Sequence, residues 1–179
     1  MDGSTMAIER PCAPPRRAWT AVELQQLYYD DVFRFFTRRV RPVEEAEDLT
    51  ASTFLAAYQS LRSIRNADPR LFLYGVARRK LAEALRKRRS IGTLEAAEHL
   101  AAPASPANLA GAALKSALKQ IPADQAEALM LQNLEDLGIK EIAKVMNRSE
   151  KSVKALLQRA KENLRNDRNL RALAEEIHV

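Results

Sequence analysis

Cysteine and histidine are nearly absent from this chain of 179 residues. Cys12 is the single cysteine, and the only histidines are His99 and His178. An intramolecular disulfide is therefore excluded, and neither a cysteine-based nor a histidine-rich metal site can be assembled. We expect no metal ion and no other cofactor.

Glycine is also scarce, with five residues, and long apolar runs are missing. No Gly-rich phosphate loop and no nucleophile–base set is present, so an enzyme is the weakest functional class. No run approaches the roughly 20 apolar residues that span a bilayer. Residues 1–18 carry three arginines but lack the hydrophobic core of a secretory signal. The sequence predicts a soluble, cytoplasmic protein without membrane insertion.

What the chain does contain favours helices and a polyanionic partner. Alanine, leucine, glutamate, lysine and arginine are abundant, and all are good helix formers. The net charge of +6 and the isoelectric point of about 9.7 are compatible with nucleic-acid binding. Prolines and alanines crowd residues 90–107, which predicts a flexible linker. We therefore expect an all-α fold of two small helical domains, with three helices in residues 21–89 and four in residues 108–167, a leader at 1–20 and a tail at 168–179.

Apolar residues at three- and four-residue steps predict the three helices of the first half. The first helix is predicted to end at Pro42. Its buried stripe is predicted to be Leu24, Leu27, Tyr28, Val32, Phe35, Phe36 and Val40. Its outer residues are predicted to be Gln25, Asp31, Arg34, Arg38 and Arg39. The second runs from about Glu44 to Leu61 and buries Leu49, Phe54, Ala57, Tyr58 and Leu61. The third runs from about Pro69 to Arg88, is capped by Asp68 and buries Leu71, Tyr74, Ala77, Leu81 and Leu85. A different face of it carries Phe72, Val76, Arg79, Glu83 and Arg86.

Two of these helices carry strongly unbalanced charge. The second begins with Glu44, Glu45, Glu47 and Asp48. These acids either complement the helix dipole or form an interaction surface. Across residues 70–89 there are eight basic side chains and one acidic one. Like charges at helical spacing repel, and a phosphate backbone would relieve that repulsion, so the third helix is a candidate nucleic-acid surface.

The second half has the pattern of a helix-turn-helix. Leu114, Leu118 and Ile121 line one helix, and Pro122 starts another that is predicted to bury Ala126, Leu129, Met130 and Leu134. After a turn at Leu137-Gly138, a short helix is lined by Ile139, Ile142, Ala143 and Met146. Asn147 suits a left-handed C-cap, and Ser149 caps a last helix whose core stripe is Val153, Leu157, Ala160 and Leu164. Its exposed face would read DNA, although a generic helical hairpin has the same pattern.

Several segments in this order resemble the extracytoplasmic-function sigma factors of bacterial RNA polymerase. Leu27 to Phe36 (LYYDDVFRFF) looks like the family's opening helix. Glu44 to Phe54 (EEAEDLTASTF) is similar to the core-binding segment AEDLTQETF. Asp68 to Arg79 (DPRLFLYGVARR) resembles the promoter-melting segment DPRAYLYRIARN. Residues 121–165 resemble the C-terminal domain that binds the upstream promoter element.

The resemblance implies an alternative sigma factor that binds core polymerase and directs promoter recognition, melting and initiation. Its implied partners are the clamp of the largest polymerase subunit, the flap of the beta subunit, promoter DNA and an anti-sigma factor. The implied core-binding residues are Glu44, Glu45, Glu47, Asp48 and Ser52. The implied minus-ten contacts are Arg65, Asn66, Arg70, Phe72, Arg78, Arg79, Lys80 and Arg86. The implied minus-thirty-five contacts are Ser149, Lys151, Ser152, Lys154, Ala155, Gln158 and Arg159.

Four departures from the family pattern bear on these roles. Ala51-Ser52 replace a Gln-Glu pair, so docking rests more on Asp48. Arg79 replaces an asparagine, and Phe72 replaces a larger aromatic residue. Ala155-Leu156 replace Ser-Arg in the recognition helix. The alternative function is a helix-turn-helix regulator that does not act through core polymerase and uses its first half for dimerisation or sensing.

Overall fold

The computed structural model describes residues 19–60, 68–90, 114, 116–168 and 170, and its regular elements in these ranges are helices. Their bounds are α1 (Ala21–Thr37), α2 (Val43–Gln59), α3 (Pro69–Ser90), α4 (Ala123–Asn133), α5 (Ile139–Met146) and α6 (Glu150–Arg165). Residues 116–120 are helical as well. The all-α prediction is confirmed. Most of the predicted leader, linker and tail lies outside the described residues. Within the described part of the chain, no helix could cross a membrane.

In the first half, α1 and α3 begin at residues whose side chains cap the helix. Thr20 and Glu23 form a capping box at α1: the Thr20 hydroxyl accepts from the Glu23 N–H at 3.2 Å, and the Glu23 carboxylate accepts from the Thr20 N–H at 3.0 Å. Asp68 caps α3 as predicted, because its carboxylate accepts from the Arg70 N–H at 2.9 Å. Pro69 then occupies the first helical position, where its missing N–H costs nothing.

The core of the first half lies where α1, α2 and α3 meet. Phe35 contacts two other buried rings: its centroid lies 5.3 Å from that of Phe36 and 5.7 Å from that of Tyr74. Phe35, Phe36 and Tyr74 are all essentially inaccessible to solvent. Two buried threonines of α2, Thr50 and Thr53, donate to backbone carbonyls one turn earlier, so their hydroxyls are satisfied inside the core.

Some predicted faces of α1 and α3 were wrong. Leu27 was predicted to be buried but is 54% exposed, and Leu85 is 39% exposed. Conversely, Arg39 was placed outside but its side chain is only 4% exposed. Val76 is also buried. Val76 is buried because α3 is packed against α5 as well as against α1 and α2, so more than one of its faces is covered. Arg39 is buried because it pairs with Glu135 of the second half.

The buried stripe of α4 was predicted in the wrong register. The buried residues of α4 are Gln125, Ala128 and Leu131, while Leu134 is 44% exposed. The polar Gln125 belongs to this stripe because its Oε1 accepts a 2.8 Å hydrogen bond from Asn163 of α6. A search for apolar periodicity passes over a stripe that includes a polar residue, even when a hydrogen bond makes its burial favourable.

The helix-turn-helix has the predicted turn. Asn147 adopts a left-handed conformation (φ 52°, ψ 51°), and the Arg148 N–H donates back to the Ala143 carbonyl at 2.9 Å. Ser149 then caps α6 by accepting from the Ser152 N–H at 3.2 Å. Val153, Leu157 and Ala160 of the predicted core stripe are buried, whereas Leu164 is partly exposed. The turn and both caps were therefore correctly predicted from local sequence.

The two halves pack on each other through α3 and α5. Buried residues of both halves, among them Tyr74 and Ile142, belong to one continuous hydrophobic cluster. The prediction of two units joined by a linker did not include this contact. Its consequence is that one long face of the basic helix α3 is turned toward the second half.

Candidate functional site

The acidic start of α2 forms an exposed surface. Glu44, Glu47 and Asp48 lie three and four residues apart, on one side of the helix, and all three are exposed. None of their carboxylates forms a hydrogen bond or an ion pair with another described residue. Pro42 provides no side-chain cap for α2, so these carboxylates also complement the helix dipole. The structure thus leaves three predicted core-binding acids free to meet a partner.

Two other predicted core-binding residues are engaged within the chain. Glu45 forms an ion pair with Arg88 of α3, and Arg88 also donates to the Arg41 carbonyl at 3.0 Å. The Ser52 hydroxyl donates to the Leu49 carbonyl at 3.0 Å. Glu45 therefore fixes α3 against α2, whereas Ser52 contributes a partly buried hydroxyl below the acidic surface.

An exposed leucine extends the acidic surface, and sequence reasoning missed it. Leu55 lies seven residues after Asp48, which is two turns along the same face, and is 59% exposed. Ala51, also exposed, lies between them. The available signal was that Leu55 falls off the buried stripe of α2. Its exposure gives the surface an apolar end beside the carboxylates.

The basic side chains of α3 point in two directions. Arg79 and Arg86 are exposed on the outer side, and Lys80 lies near them, 3.7 Å from the Glu83 carboxylate. Phe72 is partly buried against the core at the start of the helix. Two further predicted contacts, Arg65 and Asn66, lie outside the described residues. The outer side therefore offers cations and, at one end, part of an aromatic ring.

Arg70 and Arg78 point toward the second half instead. Arg78 Nε donates to Glu127 Oε1 at 2.8 Å, and its Nη2 lies 3.9 Å from Asp124 Oδ1. Arg70 Nη2 donates to the Glu135 carbonyl at 2.5 Å. Both were predicted to contact DNA, and in this arrangement both are occupied by residues of α4 and the turn after it.

The exposed face of α6 contains the predicted reading residues. Lys151, Lys154, Gln158 and Arg159 are exposed, while Ser152 and Ala155 are partly exposed beside them. Gln158 Nε2 donates to Glu162 Oε1 at 2.9 Å, which fixes the direction of its amide. Because Val153, Leu157 and Ala160 anchor the opposite face, this surface is held rigidly by the domain core.

A buried carboxylate joins the two halves. Glu135, 4% exposed, accepts from Arg39 at 2.9 Å and from Arg38 at 3.4 Å. Burial lowers the pKa of Arg39, and the Glu135 carboxylate beside it opposes that shift. The Arg39 guanidinium also stacks over the Phe35 ring, 3.7 Å from its centroid. Asp136, in a left-handed conformation (φ 51°), turns the chain so that Glu135 faces inward.

Tyr74 completes this cluster and titrates at high pH. Its hydroxyl lies 3.3 Å from Glu135 Oε2, and burial, followed by the charge of Glu135, raises the pKa of Tyr74 to about 12. The folded pKa thus exceeds the unfolded value of about 10, so the fold favours the neutral phenol. The corresponding stability is fully present below about pH 10 and is lost as the pH rises toward 12.

We therefore expect the free energy of unfolding to fall between about pH 10 and pH 12, by up to about 2–3 kcal/mol from this group. Tyr74→Phe should be less stable at neutral pH by about 1 kcal/mol, since it lacks the hydrogen bond, but it should show a smaller fall at high pH. Urea denaturation across this pH range measures both effects. An equal fall in the two proteins would contradict the assignment.

Among the described residues, no group of histidine, cysteine and carboxylate side chains could hold a metal ion. The structure presents three charged surfaces: the acidic start of α2, the basic outer side of α3 and the exposed, basic face of α6. Such surfaces bind macromolecules of complementary charge.

Comparison with known proteins divides the chain into the same two halves as the structure. Residues 24–91 match the family described as Sigma-70 region 2, and residues 111–164 match Sigma-70, region 4. The chain is 31% identical over 152 residues to the ECF RNA polymerase sigma factor SigM of Bacillus subtilis, covering 82% of this chain and 93% of SigM. It is also 31% identical over 147 residues to the ECF RNA polymerase sigma factor BldN of Streptomyces coelicolor, covering 76% of this chain and 56% of BldN.

The fold has a counterpart among solved structures. The sigma factor RpoE from Bartonella quintana, in complex with the anti-sigma factor NepR, superimposes with a TM-score of 0.61 at 19% identity. The match covers 84% of this chain and 94% of that one. At this identity the likeness concerns the fold, and it supports the order of helices described above.

Proposed function

The chain belongs to the extracytoplasmic-function sigma factors of bacterial RNA polymerase, and we propose how its described surfaces carry out that function. It is an alternative sigma factor, which binds core RNA polymerase and directs promoter recognition and transcription initiation. We propose that it has no active site of its own and works in the cytoplasm, where the polymerase is. A helix-turn-helix regulator independent of core would not explain the region 2 match over residues 24–91.

The acidic surface of α2 is the proposed docking site for the clamp of the largest polymerase subunit. Glu44, Glu47 and Asp48 supply the charge, and Leu55 supplies an apolar contact two turns below. Charge steers the encounter, and desolvated apolar area at the centre of an interface adds affinity. The single observation that carries this proposal is that these three carboxylates are exposed and have no partner in the described chain.

The outer side of α3 is the proposed contact for the unwound minus-ten strand. Arg79, Lys80 and Arg86 would hold phosphates, and Phe72 would offer a stacking edge at the start of the helix. Arg70 and Arg78 would join them once the second half moves away. Arg65 and Asn66, outside the described residues, stay predictions for the same strand.

The α6 face is the proposed reader of the minus-thirty-five element, with its domain resting on the flap of the beta subunit. Lys154, Gln158 and Arg159 would enter the major groove. Ser149, Lys151 and Ser152, at the first turn of α6, would contact the backbone, where a helix N-terminus favours phosphate. Ala155 leaves room for a base edge but offers no hydrogen bond. We propose residues 21–89 and 108–167 as the functional units, with 90–107 as their linker.

An anti-sigma factor is a further proposed partner. The structurally similar RpoE of Bartonella quintana was solved with its anti-sigma factor NepR. In this chain, Val22 and Leu27 of α1 and Leu55 of α2 are more than half exposed. Large exposed apolar side chains on neighbouring helices suit a protein that covers the core-binding face.

Run-off transcription with core polymerase and genomic DNA tests the function directly. We expect discrete start sites that appear only when the chain is added. A chain that neither binds core nor directs initiation from any site would refute the proposal.

Arg79 gives a test of the minus-ten surface. Arg79→Ala should weaken binding of the polymerase holoenzyme to promoter DNA similarly across promoter sequences and reduce the salt dependence of binding by about one unit of log–log slope. The reason is that a phosphate contact carries charge but reads no base. Binding titrations at several salt concentrations measure the slope. An unchanged slope would remove Arg79 from the DNA surface.

A further inference from the structure

We propose that Arg88, near the end of α3, is a positioning residue for core docking. It holds the first turn of α2 in place, so that the exposed acids of that turn meet the polymerase as one surface. This role rests on the proposed function, because it requires that Glu44, Glu47 and Asp48 dock on the clamp. Arg88 thereby takes part in core binding, although it belongs to the basic helix assigned to DNA.

The first turn of α2 is weakly anchored by its own residues. Pro42 occupies the N-cap position and supplies no side-chain hydrogen bond to the helix. Among residues 41–48 the one buried residue is Ala46, whose side chain is a single methyl group. So small an apolar group stabilises the turn little by burial. The start of α2 therefore depends on a contact from another element.

The same turn is also strained by its own charge. Four carboxylates lie within five residues, at Glu44, Glu45, Glu47 and Asp48. Glu44 and Asp48 are four residues apart and Glu45 and Asp48 are three apart, which are the spacings at which like charges on a helix repel. The helix dipole offsets part of this repulsion. A cation beside the turn would offset more of it.

Arg88 supplies both the missing contact and the cation. Its Nη2 donates to the Arg41 carbonyl at 3.0 Å and forms an ion pair with the Glu45 carboxylate. The carbonyl lies just before α2 and the carboxylate lies in its first turn, so one guanidinium joins the two sides of the helix start. The helix that carries Arg88 is itself fixed, because α3 packs against α1, α2 and α5.

The contact leaves the docking acids open. Glu45 follows Glu44 by one residue and therefore points about 100° away from it around the helix. The Arg88 and Glu45 side chains are 34% and 22% exposed, whereas Glu44, Glu47 and Asp48 belong to the exposed class. Arg88 thus orders the acidic surface without covering it. A surface that is ordered before the partner arrives loses less conformational entropy on binding.

The first test measures the affinity of the full-length chain for core polymerase. We expect Arg88→Ala to bind core about tenfold more weakly, since the docking acids are no longer held in one arrangement. Lys87→Ala is the matched control, because it removes one exposed cation from the neighbouring position of α3. Arg88→Lys should recover most of the affinity, because a single nitrogen makes both contacts and an ammonium group can donate to both acceptors.

A double-mutant cycle tests whether Arg88 acts through Glu45. If Glu45 serves to receive Arg88, removing either partner breaks the same contact. Arg88→Ala with Glu45→Ala should then lose no more core affinity than the more damaging single variant. Losses that multiply in the double variant would mean that the two residues act independently, and would overturn the inference.

Two further measurements separate positioning from other roles. Hydrogen exchange of the Ala46, Glu47 and Asp48 amides should be about tenfold faster in Arg88→Ala, while thermal unfolding of the chain changes little. The salt dependence of promoter binding by the assembled holoenzyme should not change. A reduced salt slope with unchanged core affinity would make Arg88 a DNA contact instead.

The outcomes also distinguish this role from the proposed function. If the parent chain fails to bind core, the proposed function is wrong. If the parent binds core and Asp48→Arg does not, the docking surface is correct. Wild-type core affinity in Arg88→Ala, equal to that of Lys87→Ala, would then show that Arg88 only joins two helices.

Discussion

Asp48→Arg should abolish binding to core polymerase while leaving the fold intact. Asp48 is exposed, lies beside the other acids of α2 and makes no side-chain contact that holds the domain together. Reversing one charge at a complementary interface both removes an attraction and adds a repulsion. We expect a loss of about 2–5 kcal/mol in binding, which is about 30-fold or more in affinity.

The effect on stability should be small by comparison. Loss of one anion near the start of a helix costs only about 0.3–1 kcal/mol. Asp30→Arg is the matched control, because it is the same charge reversal at an exposed position of the same half. Affinity for core is measured by titration with a labelled chain, and thermal unfolding is followed in parallel. Core affinity that stays at the wild-type level in Asp48→Arg would show that the docking site lies elsewhere.

Replacing Lys154 and Gln158 together by alanine should remove activity at promoters that depend on the minus-thirty-five element. Both side chains project from the exposed face of α6, four residues apart. A lost base contact costs about 1–3 kcal/mol, so the pair should weaken binding by about 30-fold or more. Gln158 must also give up its hydrogen bond to Glu162 in order to contact a base. Part of its contribution to DNA binding therefore depends on this exchange.

Lys119→Ala with Gln120→Ala is the matched control for this pair. It removes one lysine and one glutamine from another exposed helical segment of the same half. Transcription from a panel of promoters with intact and altered upstream elements is the measurement. Unchanged promoter preference in the Lys154/Gln158 variant would mean that the reading face is misplaced.

Local sequence predicted the elements well because each start and stop has a nearby chemical cause. Asp68 before Pro69, Asn147 in the turn and Ser149 before α6 act within a few residues of their own position. The same holds for the recognition face, since a strict apolar stripe on one side of α6 defines the other side as exposed. The acidic and basic helices were likewise visible as runs of charge.

Burial that depends on polar partners was not predictable in this way. Gln125 and Glu135 are buried because Asn163 and Arg39 reach them from other elements. Periodicity ranks both as exposed residues, so the stripe of α4 was assigned one position away. Leu27 was misjudged for the converse reason: a leucine at helical spacing is exposed when no element packs over it.

The sequence by itself determined the order of the six helices, the caps at Asp68, Asn147 and Ser149, the turn of the helix-turn-helix and the membership in the sigma family, because these depend on neighbours along the chain and on motifs in order. Tertiary structure alone decided which basic residues of α3 are available. Arg78 and Arg79 are adjacent in sequence, yet one is paired with α4 and the other is exposed. Successive residues of a helix point about 100° apart. Because the second half packs on one side of α3, Arg78 is paired with α4 while Arg79 stays exposed.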